Sequence, residues 1–315
     1  MQQRGVRRVA VVGTGTIGGS WTANFLARGL DVQATDPAPD AEARLRRFVE
    51  ACWPALARLS DLPAAPPHDL LTFCADPESA VAGVDFVQEN APEREDIKQA
   101  LLARIDAVLP PEIVIASSSS GLLISRLQAA CRHPERCVIG HPFNPPHLIP
   151  LVEVVGGERT APAAVEQAMA FYAAIGKRPI HIRREVAGHV ANRLQAALWR
   201  EAVHLVASGV ASVADVDTAI SEGPGLRWAL MGPHLTFHLA GGEGGMPHFL
   251  DQLGPPLEGW WDDLGQPSLT AEVRDALIAG VSAEAAGRDI PALAAARDKF
   301  LIDLLALKNR SGGGD

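Results

Sequence analysis

The sequence predicts an α/β protein in which an N-terminal Rossmann-type, doubly wound sheet is followed by an all-helical C-terminal domain. Short apolar strands alternate with helical segments up to about residue 182. This order is typical of a parallel sheet that is covered by helices on both faces. A Gly-rich turn follows the first strand, and from about residue 185 the chain is rich in Ala and Leu and reads almost wholly as helix.

The individual elements follow from local hydrophobic patterns. Strands are expected at residues 9–12, 30–35, 71–74, 84–88, 113–117, 137–140, 151–155 and 178–182, and helices at 17–28, 41–59, 93–107 and 162–175. A Pro-rich segment at 63–67 ends the second helix. We expect a Rossmann domain at 1–184, a helical domain at 185–310 and a disordered Gly-rich tail at 311–315.

Composition and charge exclude several classes of protein. The chain has 315 residues, 47% of them hydrophobic, so a large core forms without metal or disulfide. A net charge of −9 argues against binding to nucleic acid or to an anionic membrane, because both require a basic face. No apolar run is long enough to span a bilayer. The four cysteines form no CxxC pair, and we expect no leader before the first strand, reduced thiols and a cytoplasmic location.

A Gly-rich turn, GTGTIG at residues 13–18, joins the first strand to the first helix and matches GxGxxG. Gly13 permits the tight turn, Gly15 lets the backbone approach a pyrophosphate at the helix N-terminus, and Gly18 lets helix and strand pack closely. Asp36 ends the second strand, where a carboxylate binds the ribose hydroxyls and repels the extra phosphate of NADP, so NAD is the predicted cofactor. A turn without a ligand and a flavin site are the alternatives. The predicted cofactor residues are Gly13, Gly15, Thr16, Ile17, Gly18, Asp36, Glu93, Lys98 and Ser118.

A histidine–carboxylate pair is predicted at the carboxyl end of the sheet, where open α/β sheets bind their ligands. His141 follows the strand at 137–140, and Glu153 lies inside the apolar strand at 151–155. A carboxylate in such a strand is costly to bury without a partner, and an imidazole is a suitable one. Glu153 would hold one ring nitrogen of His141 and leave the other free to accept a proton. The alternative is a Glu153 that faces solvent and a loop histidine without a catalytic role.

Two further polar positions are candidates for bonding a substrate oxygen. One hydroxyl of the serine run Ser117–Ser120 would do so, although a polar loop is the usual meaning of such a run. Asn192 lies on an apparent helix, which indicates a buried hydrogen bond because Asn is a poor residue inside helices. Three histidines and Glu243 lie between residues 234 and 248, but Pro233 and several glycines break their helical spacing, so no metal site is predicted.

Several segments together resemble the 3-hydroxyacyl-CoA dehydrogenase superfamily over nearly the whole chain. These segments are VVGTGTIG at 11–18, the serine run at 117–120, HPFNP at 141–145, LVE at 151–153 and EVAGHVANRL at 185–194. The last three, in this order and spacing, are highly specific. The resemblance implies that His141 is the catalytic base, that Glu153 is its partner, and that Ser120 and Asn192 bond the substrate oxygen.

Within the superfamily, the chain is more similar to the lambda-crystallin/L-gulonate 3-dehydrogenase branch and to L-carnitine dehydrogenases. The serine run and SEG at 221–223 resemble the former, whereas WREA at 199–202 and GLRW at 225–228 resemble the latter. Pro142 replaces an aromatic residue of the acyl-CoA enzymes, and residues 37–70 are shorter than their helical arm and nearly free of lysine. Because coenzyme A carries several phosphates that require basic neighbours, a coenzyme A ester is disfavoured as the substrate.

The resemblance implies an NAD-dependent enzyme that oxidises the 3-hydroxyl of a small L-gulonate- or L-carnitine-like hydroxy acid to the 3-keto product. His141 would take the hydroxyl proton while hydride passes to NAD, and Glu153 would stabilise the charged ring. Arg227 would pair with a substrate carboxylate, and Trp199 and Trp228 would flank a quaternary ammonium by cation–π contact. Core packing of both tryptophans and a surface salt bridge of Arg227 are the alternatives.

Two other functions stay open at this point. One is a dehydrogenase of 3-hydroxyacyl-CoA or acyl-carrier substrates, and the other is a non-catalytic, crystallin-like protein that binds NAD(H). The expected partners are the small hydroxy acid and a second copy of the chain, which would form a homodimer through the helical domain. No nucleic acid and no membrane is expected as a partner.

Overall fold

The computed structural model describes residues 5–311, which form two compact units. Among the described residues, the first unit comprises 5–192 together with Asp298–Ala306, and the second comprises Arg193–Arg297 and 307–311. The domain boundary expected near residue 184 stays a prediction. The tail expected at 311–315 lies outside the described residues, apart from the backbone of Ser311.

One eight-stranded sheet forms the centre of the first unit. Its strands are β1 (Arg8–Val12), β2 (Asp31–Thr35), β3 (Leu71–Phe73), β4 (Phe86–Glu89), β5 (Ile115–Ser117), β6 (Cys137–Pro142), β7 (Leu151–Gly156) and β8 (Arg178–Ile182). They lie in the order β3-β2-β1-β4-β5-β6-β7-β8, with β1 to β6 parallel. The predicted doubly wound Rossmann-type sheet is confirmed. Its strand order reverses between β1 and β4, and such switch points border the ligand crevice of open α/β sheets.

Strand β7 departs from the wholly parallel sheet that the sequence predicts. It runs antiparallel to β6, and β8 then runs parallel to β7. Residues 143–150, which join β6 to β7, form no helix. A parallel pair needs a long crossover, whereas a short connection returns the chain as an antiparallel neighbour. The prediction was therefore wrong at this edge, and the antiparallel register sets His141 directly opposite Glu153.

Helices cover both faces of the sheet. They are α1 (Thr16–Ala27), α2 (Ala41–Leu59), α3 (Pro77–Ala80), α4 (Glu95–Val108), α5 (Ile124–Leu127) and α6 (Pro162–Ala174). Successive residues of β1 point to opposite faces, so Val9 and Val11 pack with Trp21 and Phe171, whereas Ala10 and Val12 join the opposite cluster. Both faces are thus buried, which explains the almost continuous apolar character of the strands.

The chain beyond the sheet is helical. Its helices are α7 (Ala191–Ala207), α8 (Val213–Ser221), α9 (Pro224–Trp228), α10 (Pro233–Ala240), α11 (Gly245–Asp263), α12 (Ala271–Ala285) and α13 (Ile290–Ser311). Side chains cap the starts of α8, α12 and α13: Ser212 accepts from the Asp215 amide, Thr270 from the Val273 amide and Asp289 from the Ala292 amide. Within residues 5–311, the helices lack the combination of length and apolar character that crossing a bilayer requires.

Candidate active site

The centre of the candidate site is a buried pair formed by His141 and Glu153. His141 Nδ1 lies 2.8 Å from Glu153 Oε2, and the two residues are 6% and 0% exposed. The contact expected from the sequence is present, and the alternative of a solvent-facing Glu153 is wrong. Because Nδ1 faces the carboxylate, it carries the ring hydrogen and leaves Nε2 as the nitrogen with a free lone pair.

The second oxygen of Glu153 binds the start of α7. Oε1 accepts hydrogen bonds from the backbone N–H groups of Val190 and Ala191, both at 2.9 Å. Burial alone would raise the pKa of Glu153, but the hydrogen bonds from His141, Ala191 and Val190 outweigh it and hold the pKa below its usual value. The carboxylate is therefore charged at neutral pH and faces the ring that would gain a proton.

A second carboxylate, Glu93, organises the loop that carries the serine run. Its Oε1 accepts from the Ser119 hydroxyl at 2.7 Å and from the backbone N–H groups of Ser120 and Gly121, both at 2.9 Å. These bonds outweigh burial, which would raise the pKa of Glu93, and together with Lys98 they lower it. Ser120 is exposed, and its hydroxyl lies 3.4 Å from Glu93 Oε1, so it is available to another partner.

Lys98, which the sequence assigns to the cofactor site, lies in a buried ion pair. Its Nζ is 2.9 and 3.0 Å from the two carboxylate oxygens of Glu89, which is fully buried at the end of β4. Ser117 donates its hydroxyl to the same carboxylate. Sequence reasoning missed Glu89, although an acidic residue that ends an apolar strand was a usable signal. The role of Lys98 in cofactor binding stays a prediction.

Ser118 belongs to a polar network that connects β4 and the loop after β5 with α1 and α6. Its hydroxyl donates to Asn90 Oδ1 at 2.7 Å and accepts from Gln88 Nε2 at 2.8 Å and from Trp21 Nε1 at 3.3 Å. The Tyr172 hydroxyl completes the network by donating to Gln88 Oε1 at 2.6 Å. The network fixes the loop after β5 against α1 and α6, and the predicted contact of Ser118 with the cofactor stays a prediction.

The Gly-rich turn and Asp36 lie together at the carboxyl ends of β1 and β2. Gly13 has a φ of +90°, and a Cβ atom on Gly18 would lie 1.8 Å from the Gly13 carbonyl oxygen, so both positions require glycine. The Thr14 N–H donates to Asp36 Oδ2 at 2.7 Å. This carboxylate is thereby held beside the turn, where the sequence places the ribose of a dinucleotide.

The start of α1 fits a phosphate group. A Cβ atom built on Gly15 meets no atom within 4 Å, so the backbone there is open to close approach. No described side chain caps this helix, and its first turn, which begins with Thr16 and Ile17, contains no acidic residue. The uncapped N–H groups and the helix dipole therefore favour an anion at this position.

The remaining predicted residues lie on the C-terminal helices. Asn192 is the second residue of α7 and directly follows the two amides that bond Glu153. Trp199 in α7 and Trp228 in α9 are 55% and 39% exposed, so neither ring belongs to the buried core of the single chain. Arg227, also in α9, is exposed. The structure leaves these three side chains available to a ligand, and their roles stay predictions.

In the histidine-rich segment between residues 234 and 248, His238 makes a hydrogen bond within the chain. His238 Nδ1 accepts a hydrogen bond from the Met246 backbone at 3.0 Å, which ties α10 to the start of α11. Across residues 5–311, the described His, Cys, Asp and Glu side chains form no group of three or more that could hold a metal ion.

Known proteins match the chain over nearly its whole length. Residues 8–186 match the family model "3-hydroxyacyl-CoA dehydrogenase, NAD binding domain", and residues 188–272 match "3-hydroxyacyl-CoA dehydrogenase, C-terminal domain". The chain is 58% identical to the L-carnitine dehydrogenase of Streptomyces coelicolor, covering 98% of this chain and 96% of that one. It is 50% identical to the L-carnitine dehydrogenase of Pseudomonas putida, with coverages of 95% and 93%. A solved structure of a 5-formyl-3-hydroxy-2-methylpyridine 4-carboxylic acid 5-dehydrogenase, an NAD+-dependent dismutase, superposes with a TM-score of 0.82 at 33% identity and covers 98% of this chain and 100% of that one.

Proposed function

Because this chain belongs to the 3-hydroxyacyl-CoA dehydrogenase family and carries its NAD-binding domain, we propose that it oxidises the 3-hydroxyl of a carnitine-like hydroxy acid. The 3-keto acid is the product, and NAD is the acceptor. The observation that carries the proposal is the buried contact of 2.8 Å between His141 Nδ1 and Glu153 Oε2. L-Carnitine is the proposed substrate because relatives that are 50% and 58% identical are named L-carnitine dehydrogenases.

His141 has the geometry of a general base in this reaction. Bound NAD+ supplies the acceptor for the hydride that leaves the substrate carbon. Nε2 of His141 takes the hydroxyl proton, since Nδ1 is engaged with Glu153. The ring then carries a positive charge, and the charged, buried carboxylate of Glu153 stabilises it. Ser120 and Asn192 are proposed to bond the substrate oxygen and to orient the reacting carbon.

The two charged ends of carnitine suit the chemistry of the residues assigned to substrate binding. A guanidinium such as that of Arg227 binds a carboxylate through paired N–H groups. Indole rings such as those of Trp199 and Trp228 attract a quaternary ammonium through their faces. The exposure of both tryptophans, 55% and 39%, supports this role because a ligand can reach them.

A panel of 3-hydroxy substrates tests the proposal. Purified protein is assayed for NADH formation with L-carnitine, L-gulonate and 3-hydroxybutyryl-CoA, each with NAD and with NADP. We expect the highest kcat/KM with L-carnitine and NAD. A clear preference for the coenzyme A ester would replace the proposed substrate by an acyl-CoA. Tight NADH binding without turnover of any of the three would identify a non-catalytic binder.

We further propose a homodimer assembled through the helical unit. Large apolar side chains there are mostly exposed in the single chain, including Trp260, Trp261 and Ile278 at 64%, 65% and 62%. Exposed apolar side chains of this kind mark an interaction site where they form one contiguous patch. Sedimentation equilibrium tests the assembly, and a monomer at micromolar concentration would refute it.

A cytoplasmic location is also proposed. The four cysteines carry free thiols, which supports it.

A further inference from the structure

His189 carries two unfavourable features beside the candidate site. Its backbone φ is +51°, and the φ of the preceding Gly188 is +76°. A left-handed conformation is uncommon for a residue other than glycine. The side chain is 1% exposed, and its Nδ1 has no hydrogen-bond partner among the described residues. Strained backbone and an unpaired buried nitrogen in one residue indicate a functional constraint.

The other ring nitrogen of His189 binds the serine run. Nε2 lies 3.0 Å from the backbone carbonyl oxygen of Ser119, which can only accept, so Nε2 carries the hydrogen. The ring centroid lies 5.1 Å from that of His141. Burial and the neighbouring His141 lower the pKa of His189 despite the opposing effects of the Ser119 carbonyl, Glu153 and Glu93. The ring is therefore neutral at neutral pH and adds no second charge beside the base.

The backbone that follows His189 holds Glu153. The N–H groups of Val190 and Ala191 donate to Glu153 Oε1, and Asn192 comes next in the chain. The side chain of His189 thus fixes the serine run, while the turn that it begins fixes the carboxylate partner of His141. Ser120 directly follows Ser119, and Asn192 directly follows Ala191. Both residues proposed to bond the substrate oxygen are therefore next to a segment that His189 holds.

We propose that His189 is a positioning residue. It holds the serine run and the turn at 188–191, which binds Glu153, in fixed positions relative to His141. The inference rests on the proposed function, because it assigns His189 to the same dehydrogenase site. His189 acts through Ser119 and the 188–191 turn, and His141 alone transfers the proton. Loss of the hydrogen bond from Nε2 to Ser119 would let the two segments move apart and misplace the groups that orient the substrate.

Three variants separate positioning from a general structural effect. His189→Leu removes the donor, His189→Gln keeps a donor at the reach of Nε2, and His181→Leu removes an exposed histidine of β8 as the control. We expect His189→Leu to lower kcat, expressed per NADH-binding site, by about 10- to 100-fold. We also expect an unchanged Kd for NADH and a larger isotope effect on kcat with substrate deuterated at the reacting carbon. His189→Gln should recover most of the activity, and His181→Leu should retain it.

A purely structural role gives a different result in the same assays. It would reduce the fraction of protein that binds NADH, but kcat per binding site and the isotope effect would stay at the wild-type values. Equal kcat per site in the wild type and His189→Leu, or equal losses in the Leu and Gln variants, would overturn the proposal.

Hydrogen exchange provides a readout that is independent of turnover. The amides of Val190 and Ala191 should exchange faster in His189→Leu than in the wild type, and His189→Gln should resemble the wild type. Unchanged exchange in His189→Leu would overturn the positioning role. A wild-type protein that oxidises no 3-hydroxy acid would instead refute the proposed function, and the exchange result would still decide whether His189 holds the turn.

Discussion

Replacing Glu153 by Gln removes the charge from the partner of His141 while preserving the size of the side chain. Both oxygens of the carboxylate accept hydrogen bonds, Oε2 from His141 and Oε1 from Val190 and Ala191. A Gln amide has only one acceptor oxygen, so its NH2 group faces either the two backbone N–H groups or Nδ1 of His141. The first orientation loses the bonds to Val190 and Ala191, and the second favours the tautomer in which Nε2 carries the hydrogen and cannot accept a proton.

The size of the effect follows from the distance and the burial of the pair. Nδ1 and Oε2 are 2.8 Å apart, and the side chains are 8% and 0% exposed, so solvent screens the pair only weakly. Two charges whose centres lie about 4 Å apart interact by about 4 kcal/mol at an effective dielectric constant of about 20. The amide dipole recovers part of this stabilisation of the imidazolium. We therefore expect kcat to fall by about 10²-fold, which corresponds to about 3 kcal/mol.

The assay is the rate of NADH formation at saturating NAD and substrate, normalised to the concentration of NADH-binding sites. Glu158→Gln is a matched control, because Glu158 is an exposed glutamate that follows the same strand. The control should retain wild-type kcat, and the Kd for NADH should be the same in all three proteins. A kcat for Glu153→Gln within about threefold of the wild type, less than 1 kcal/mol in activation free energy, would refute the role of Glu153.

Three further predictions concern the cofactor, the core and pH. Asp36→Ser should raise kcat/KM with NADP relative to NAD by at least about tenfold, because the carboxylate beside Thr14 no longer repels a ribose phosphate; an unchanged ratio contradicts this. Asp106→Asn should lower the free energy of unfolding in urea by about 3 kcal/mol, since Arg136 is 2% exposed and loses its charged partner; a loss below about 1 kcal/mol contradicts this. The folded pKa of Glu153 lies below 4.5, its unfolded value, so its stabilisation is complete above pH 4.5 and is lost as the pH falls through the folded pKa. The Tm advantage of the wild type over Glu153→Gln should therefore shrink as the pH is lowered from neutral to about 3, and a constant difference contradicts the assignment.

The features that the sequence predicts well have strong local signals. Apolar strands alternating with helices specify the sheet, and the glycines at 13, 15 and 18 have separate steric tasks. Glu153 is predictable as a paired residue because a carboxylate inside an apolar strand is costly without a partner. Its contact with His141 then requires only that the two strands be neighbours, which is how they lie.

Other features depend on tertiary contacts that no local pattern encodes. The direction of β7 depends on the short connection at 143–150, whereas its own apolar pattern suits either direction. Lys98 is predicted as a cofactor residue, and neither its burial nor its ion pair with Glu89, nine positions earlier in the chain, is evident from the helical pattern around it. The unpaired nitrogen of His189 likewise becomes visible only when β5, β7 and the start of α7 are placed together.

In the proposed reaction, His141 takes the proton from the substrate hydroxyl. The most direct test is kcat for His141→Asn, which cannot act as a base, on the substrate that the wild type oxidises best. We predict a loss of at least about 10²-fold with an unchanged Kd for NADH. A His141→Asn protein that forms NADH at nearly the wild-type rate would contradict the claim.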